Sequence, residues 1–149
     1  MSKKFMVAVD GSENGFKALD VASELAKAMD ASLTILYVVT QTRVPQGLEH
    51  FAQVEHVAGQ EEWARYLTGI GEQIVRRGEA RAKEAGVSQI ESQIAEGNAA
   101  EQITIASTSA GIDMLFIGSR GLSDIKGLIV GSVSHKVMHL AQCTCVAVK

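Results

Sequence analysis

Two segments of this chain carry residue types that could act together on one ligand. Ala8-Val9 ends a run of apolar residues at Asp10, and Gly11-Ser12 follow at once. A second apolar run ends at Ile117-Gly118-Ser119-Arg120-Gly121, and after nine further residues come Gly131-Ser132-Val133-Ser134. Glycines at 118 and 121 allow backbone angles and close approaches that a side chain would block. Gly131-Ser132 stands where an apolar helical period begins, and the N–H groups and dipole of a helix start favour an anion such as phosphate. The hydroxyls of Ser132 and Ser134 add donors. Arg120, between the loop glycines, either reaches a phosphate or stays solvated. A carboxylate does not face a phosphate comfortably without a metal, so Asp10 is suited to sugar hydroxyls or to a bound Mg²⁺. Val38 and Val39 would wall a flat apolar base.

These residues need elements to hold them. Short apolar runs cover Phe5–Val9, Leu33–Val39, Ile90–Ala95, Met114–Ile117 and Cys145–Val148, all of strand rather than helix length. Between them, Ala18, Val21, Ala22, Leu25 and Met29 recur at helical spacing, as do Trp63, Leu67, Ile70 and Ile74. Ile103, Ala106 and Ala110 mark a third helix, and Val133, Val137, Leu140 and Ala141 a fourth. Strands alternating with helices predict an α/β fold, a mostly parallel sheet covered on both faces. Runs one, two and four are nearly all apolar, as central strands are. The third, Ile90-Glu91-Ser92-Gln93-Ile94, is half polar and suits an edge. The fifth is apolar, and an apolar edge with open hydrogen-bonding groups is one that proteins seldom leave bare. Pairing with the same strand of a second copy, a homodimer, is the simplest remedy. In an open α/β sheet, ligands lie at the carboxyl ends of strands where the strand order reverses. If the first and fourth strands meet there, Asp10 and Gly118 flank one crevice.

Bulk properties narrow the function. At 149 residues the chain has the length of one domain, with 46% hydrophobic and 21% charged residues. A net charge of −3 with no basic run argues against a nucleic-acid partner. No run of about 18 apolar residues exists, which argues against a membrane span. The opening MSKKFMVAVDGS does not resemble a signal peptide, and two cysteines make no disulfide framework, so a cytoplasmic location is expected. Thr40 to about Val57 is irregular and holds Pro45 and Gly47. It reads equally as a flap over a ligand or as a surface excursion.

The spacing Gly118-x2-Gly121-x9-Gly131-Ser132 resembles the nucleotide-binding signature of ATP-binding universal stress proteins. The likeness extends along the chain through VAVDGS, LYVV, the Glu96-Gly97-Asn98-Ala99-Ala100-Glu101 turn and Gly131-Ser132-Val133-Ser134. It implies a five-stranded Rossmann-like sheet of the adenine nucleotide alpha hydrolase-like type, strand order 3-2-1-4-5, and a dimer through the last strand. It also implies ATP, with Mg²⁺ carried by the phosphates. Asp10 and Val38 would then contact ribose and adenine, with Gly118 near the ribose and Gly121, Gly131, Ser132 and Ser134 at the phosphates. The flanking Ala8, Val9, Ile117, Arg120 and Val133 complete that expected site. One departure touches the dimer: where such proteins commonly have Cys-Pro before the last strand, Cys143 is followed by Thr144.

Other chemistries find less support. The chain has no G-x-x-x-x-G-K-[ST], no G-x-G-x-x-G in its first turn and no G-x-S-x-G. His135, His139 and Cys143 recur every fourth residue, but a helix ending before Cys143 would break the set and no fourth ligand is evident. A phosphate cradle without a catalytic base or lysine clamp favours a nucleotide-responsive binding protein. A slow ATPase or nucleotide-transfer enzyme and a nucleotide-free interaction dimer are the alternatives.

Overall fold

The computed structural model describes residues 2–40, 59–121 and 130–149. The expected flap therefore lies outside the described residues, apart from Thr40. Nine elements follow one another: β1 (Lys4–Ala8), α1 (Glu13–Met29), β2 (Ser32–Val39), α2 (Gly59–Ala85), β3 (Ile90–Glu96), α3 (Ala99–Ser109), β4 (Met114–Gly118), α4 (Ser132–Leu140) and β5 (Thr144–Val148). The five strands form one sheet in the order β3-β2-β1-β4-β5, every pairing parallel. The half-polar third strand and the apolar fifth are its two edges, and the first and fourth strands are neighbours. Val7 lies level with Ile35 on one side and with Phe116 on the other.

Period-two alternation in the central strands sorts the core into two layers. Phe5, Val7, Leu33, Ile35 and Phe116 face α1 and α2. Met6, Leu36, Leu115 and Ile117 face α3 and α4. Local chemistry sets the helix ends. Ser12 caps α1 by accepting the Gly15 N–H at 3.1 Å. Asp30 ends that helix in the left-handed region, φ 49°, a conformation a short polar side chain tolerates. Asn98 caps α3 through the Glu101 N–H. Between α1 and α2, the Arg81 guanidinium binds Asp20 with both ends of its fork, one bond measuring 3.1 Å, and lies 5.2 Å from the Phe16 ring centroid.

The apolar stripes are right in kind and shifted in detail. In α1 the buried set is Gly15, Phe16, Ala18, Leu19, Ala22, Ser23 and Ala26, while Met29 is 48% exposed. In α4, Val137 is buried and Leu140 is 51% exposed. No helix among the described residues is long and apolar enough to cross a membrane.

Candidate functional site

The strand order reverses between β1 and β4, and a cavity of about 320 Å³ opens at the carboxyl ends of the strands there. That volume is within the range of small-molecule sites. From the end of β1 and the turn after it come Ala8, Val9 and Asp10; from the end of β4 and the segment after it come Ile117, Gly118, Arg120 and Gly121. Val38 on β2 and Val133 and Ser134 on α4 complete the lining that the sequence led us to expect.

Gly131 and Ser132 stand apart from this set, for they do not line the cavity as described. Gly131 is buried and is the N-cap residue of α4. Its N–H donates to the Ser119 carbonyl, which fastens the start of α4 to the end of β4. Ser134, also buried, donates its hydroxyl to the Ser119 carbonyl at 3.0 Å and the Gly131 carbonyl at 3.1 Å. The Ser119 N–H in turn donates to the Val148 carbonyl at 2.7 Å, so β4, α4 and β5 converge on one residue.

Seven lining residues escaped the sequence reading. Ser12 and Gly15 begin α1, and Ala99 and Ile103 belong to the first turns of α3. Leu36, Tyr37 and Thr40 come from β2 and its end. The Asp10-Gly11-Ser12 turn was a usable signal for Ser12, because a serine there caps the helix whose first turn borders the crevice. Ala99 and Ile103 had no local signal, since only the folded sheet brings α3 against β2.

The polar geometry is concentrated at Asp10. Its Oδ1 accepts the Ser12 N–H at 2.9 Å, and Gly15 leaves the room, since a Cβ there would stand 3.1 Å from the same oxygen. Gly11, at φ +88°, makes the turn that a side chain would strain. Burial, and after it the charge of Asp10, pushes the Tyr37 phenol above its ordinary range, so the hydroxyl keeps its proton at neutral pH. At Gly118 the tight neighbour is protein: a Cβ would stand 2.8 Å from the Asn14 carbonyl carbon.

The histidine set leads elsewhere. The His135 and His139 rings stack with centroids 6.4 Å apart, α4 ends at Leu140, and Cys143 lies beyond it. Among the described residues no three His, Cys, Asp or Glu side chains are grouped to hold a metal ion.

A crevice at the reversal of a five-stranded parallel sheet can be compared with known proteins. The universal stress protein family model matches residues 1–149. The universal stress protein YxiE of Bacillus subtilis is 36% identical over 157 residues, covering 100% of both chains. Among solved structures, the universal stress protein UspA from Lactobacillus plantarum superposes with a TM-score of 0.83 at 20% identity, over 99% of this chain and 97% of that one. A universal stress protein in complex with cAMP gives a TM-score of 0.68 at 24% identity, over 99% and 96%. The universal stress protein from Archaeoglobus fulgidus in complex with dAMP gives 0.64 at 14%, over 100% and 98%. With sheet order, crevice and full-length match in agreement, this chain belongs to the universal stress protein family.

Proposed function

We propose that residues 1–149 form one domain that binds ATP in the crevice between β1 and β4 and acts as a nucleotide-responsive regulatory homodimer of the cytoplasm. The observation that carries the reading is the convergence of Asp10, Gly118, Gly121 and the start of α4 on one cavity at the strand reversal. The neighbours that bind cAMP and dAMP support an adenine nucleotide of some kind.

The chemistry divides the ligand. Apolar Val38, Ile103 and Ala99 line the cavity on the α3 side and suit a purine. Asp10, with one oxygen tied to the Ser12 N–H, suits ribose hydroxyls, which donate to a carboxylate. The dipole and first-turn N–H groups of a helix start suit phosphate, and α4 begins at Ser132 beside this space. Arg120 and Gly121 border the same space. Mg²⁺ fits this arrangement as an ion carried by the phosphates, since one carboxylate plus phosphate oxygens is a donor set it accepts. It would neutralise phosphate charge beside Asp10.

The proposed dimer is supported by β5. It is an edge strand whose Val146 and Val148 are only partly buried within one copy. A second β5 laid against it would pair the open backbone groups.

Titration calorimetry with ATP, with and without Mg²⁺, tests the site beside a Gly131→Val variant. Binding by the wild type that is lost in a folded variant is the expected result. A wild-type Kd no tighter than about 1 mM, roughly 4 kcal/mol of binding, would remove the ATP reading. Time-resolved ADP release in the same samples separates a binding protein from a slow ATPase.

A further inference from the structure

Two polar side chains of the cavity are seated in notches that glycines create. At the first, Gly15 clears the space taken by the Asp10 carboxylate, and the Ser12 N–H fixes one of its oxygens at 2.9 Å. At the second, a Cβ on Gly71 would stand 2.5 Å and 2.7 Å from Cδ1 and Cε1 of Tyr37. Real side chains do not approach so closely, so the ring rests on the bare backbone of α2 and any other residue at 71 would displace it. A glycine in the middle of a helix is less favourable than alanine, and here it coincides with the place where the phenol ring lies.

The register brings the two groups together. Ala8 is level with Leu36, and the Val9 N–H donates to the Leu36 carbonyl at 2.9 Å, so Asp10 and Tyr37 leave adjacent strands within one residue of the same level. Both line the cavity. Their hydrogen-bonding capacities differ in a useful way. The carboxylate only accepts, whereas the protonated phenol both donates and accepts. Two hydroxyls on neighbouring carbons offer a donor to the first and a donor or acceptor to the second. An ionised phosphate, which only accepts, presents no donor to the carboxylate.

Resting on the nucleotide reading above, we propose that Tyr37 is a specificity-determining residue: beside Asp10 its phenol reads the sugar, so the site takes ribonucleotides with a free vicinal diol over 2′-deoxyribonucleotides. The dAMP complex of the Archaeoglobus fulgidus protein is a property of that protein, 14% identical to this chain. Gly71 is the positioning element of this pair, although it is far from the phosphate loop in the sequence.

The test is the ratio of two dissociation constants, for ATP and for 2′-deoxy-ATP, measured by calorimetry on the wild type and on Tyr37→Phe. The phenylalanine ring fills the Gly71 notch as the tyrosine does, so the variant keeps the packing and removes only the hydroxyl. With the 2′-hydroxyl on the neutral Tyr37 phenol and its neighbour on Asp10, the wild type is expected to favour ATP by roughly tenfold, the upper end of what one neutral hydrogen bond supplies. In Tyr37→Phe the ratio is expected to fall to within about threefold, with ATP binding weakened and 2′-deoxy-ATP binding little changed. Gly71→Ala, which drives the ring from its seat, should lose the discrimination in the same way. A merely structural role for Tyr37 would weaken both nucleotides together and leave the ratio unchanged, which overturns the proposal. Equal binding of the two nucleotides by the wild type overturns it as well and leaves the ATP reading standing. Failure of the wild type to bind either removes both.

Discussion

Replacing Gly118 with alanine separates two reasons for a glycine at the end of β4. From the sequence, a glycine here lets the backbone approach a ligand. In the structure the space beside its Cα is filled by α1: an added Cβ would stand 2.8 Å from the Asn14 carbonyl carbon and 3.0 Å from its Cβ and its oxygen. Carbon atoms pack best at roughly 3.5–4.0 Å, so the new methyl must move its neighbour by well over half an ångström. Two of the three atoms are backbone, in the first turn of a helix fixed by the Ser12 cap, and no rotamer change relieves them. Overpacking of this kind costs about 1–3 kcal/mol. For a chain of this length that lowers Tm by roughly 3–10 °C. The measurement is calorimetric unfolding of wild type and Gly118→Ala without nucleotide, repeated with saturating ATP. The expected outcome is a loss of stability already present without nucleotide. If the free variant melts within about 1 °C of the wild type and only ATP binding suffers, the packing argument is wrong and the glycine serves the ligand.

Two further predictions follow from local chemistry. Ser12→Ala removes the side chain that accepts the Gly15 N–H and should cost about 1 kcal/mol in urea unfolding, the usual effect of a lost N-cap; an unchanged midpoint would show that water caps the helix equally well. Burial first, and then Cys143, push the Cys145 thiol from 9.0 up to about 11. A raised pKa in the folded state means that its stabilising contribution is complete below about pH 9 and is lost as the pH rises through about 11. In a Cys143→Ser variant, alkylation of Cys145 should therefore keep rising with pH beyond 9, and a plateau near 9 would contradict the burial argument.

Which strands lie at the centre and that β3 is an edge were legible in the runs themselves, whereas the full order 3-2-1-4-5 was implied only by the family resemblance. Continuous apolar runs belong to strands covered on both faces, and the alternating Glu91 and Gln93 of β3 belong to an edge. The exact burial of α1 was not legible, and Ser23 shows why. Its hydroxyl is buried and donates to the Leu19 carbonyl at 2.7 Å, so it behaves as a core residue while reading as polar. Counting it as polar turns the stripe toward Val21 and Met29 and away from Leu19 and Ala26. Gly71 and Gly78 hid the inner face of α2 in the same way. A glycine reads as a gap in a hydrophobic pattern, whereas here the missing side chains admit Tyr37 and Ile35. Of the candidate site, the loop residues were legible because glycine and helix-start chemistry are local. Ala99, Ile103 and Tyr37 were not, because only the sheet register brings them to the crevice.

The hydrogen bonds of Ser134 give it a different task from the phosphate contact expected of it. Ser134 and the Gly131 N–H both donate to the Ser119 carbonyl. Ser134 is 2% exposed, so its hydroxyl proton is held between two carbonyls rather than presented to the cavity. The oxygen of Ser134 keeps lone pairs, but lone pairs do not bind an anion. On the proposed reading, the attraction for phosphate would then belong to backbone amides in the first turn of α4 and to its dipole, which no side-chain substitution removes directly. Ser134 acts one step back: by tying α4 to the end of β4 it sets where those amides point, relative to a cavity whose opposite wall is Asp10. In this arrangement the glycines and serines of the signature are chiefly the means of placing one helix terminus against one strand end, and in the proposed complex the ligand would be held by the groups they place.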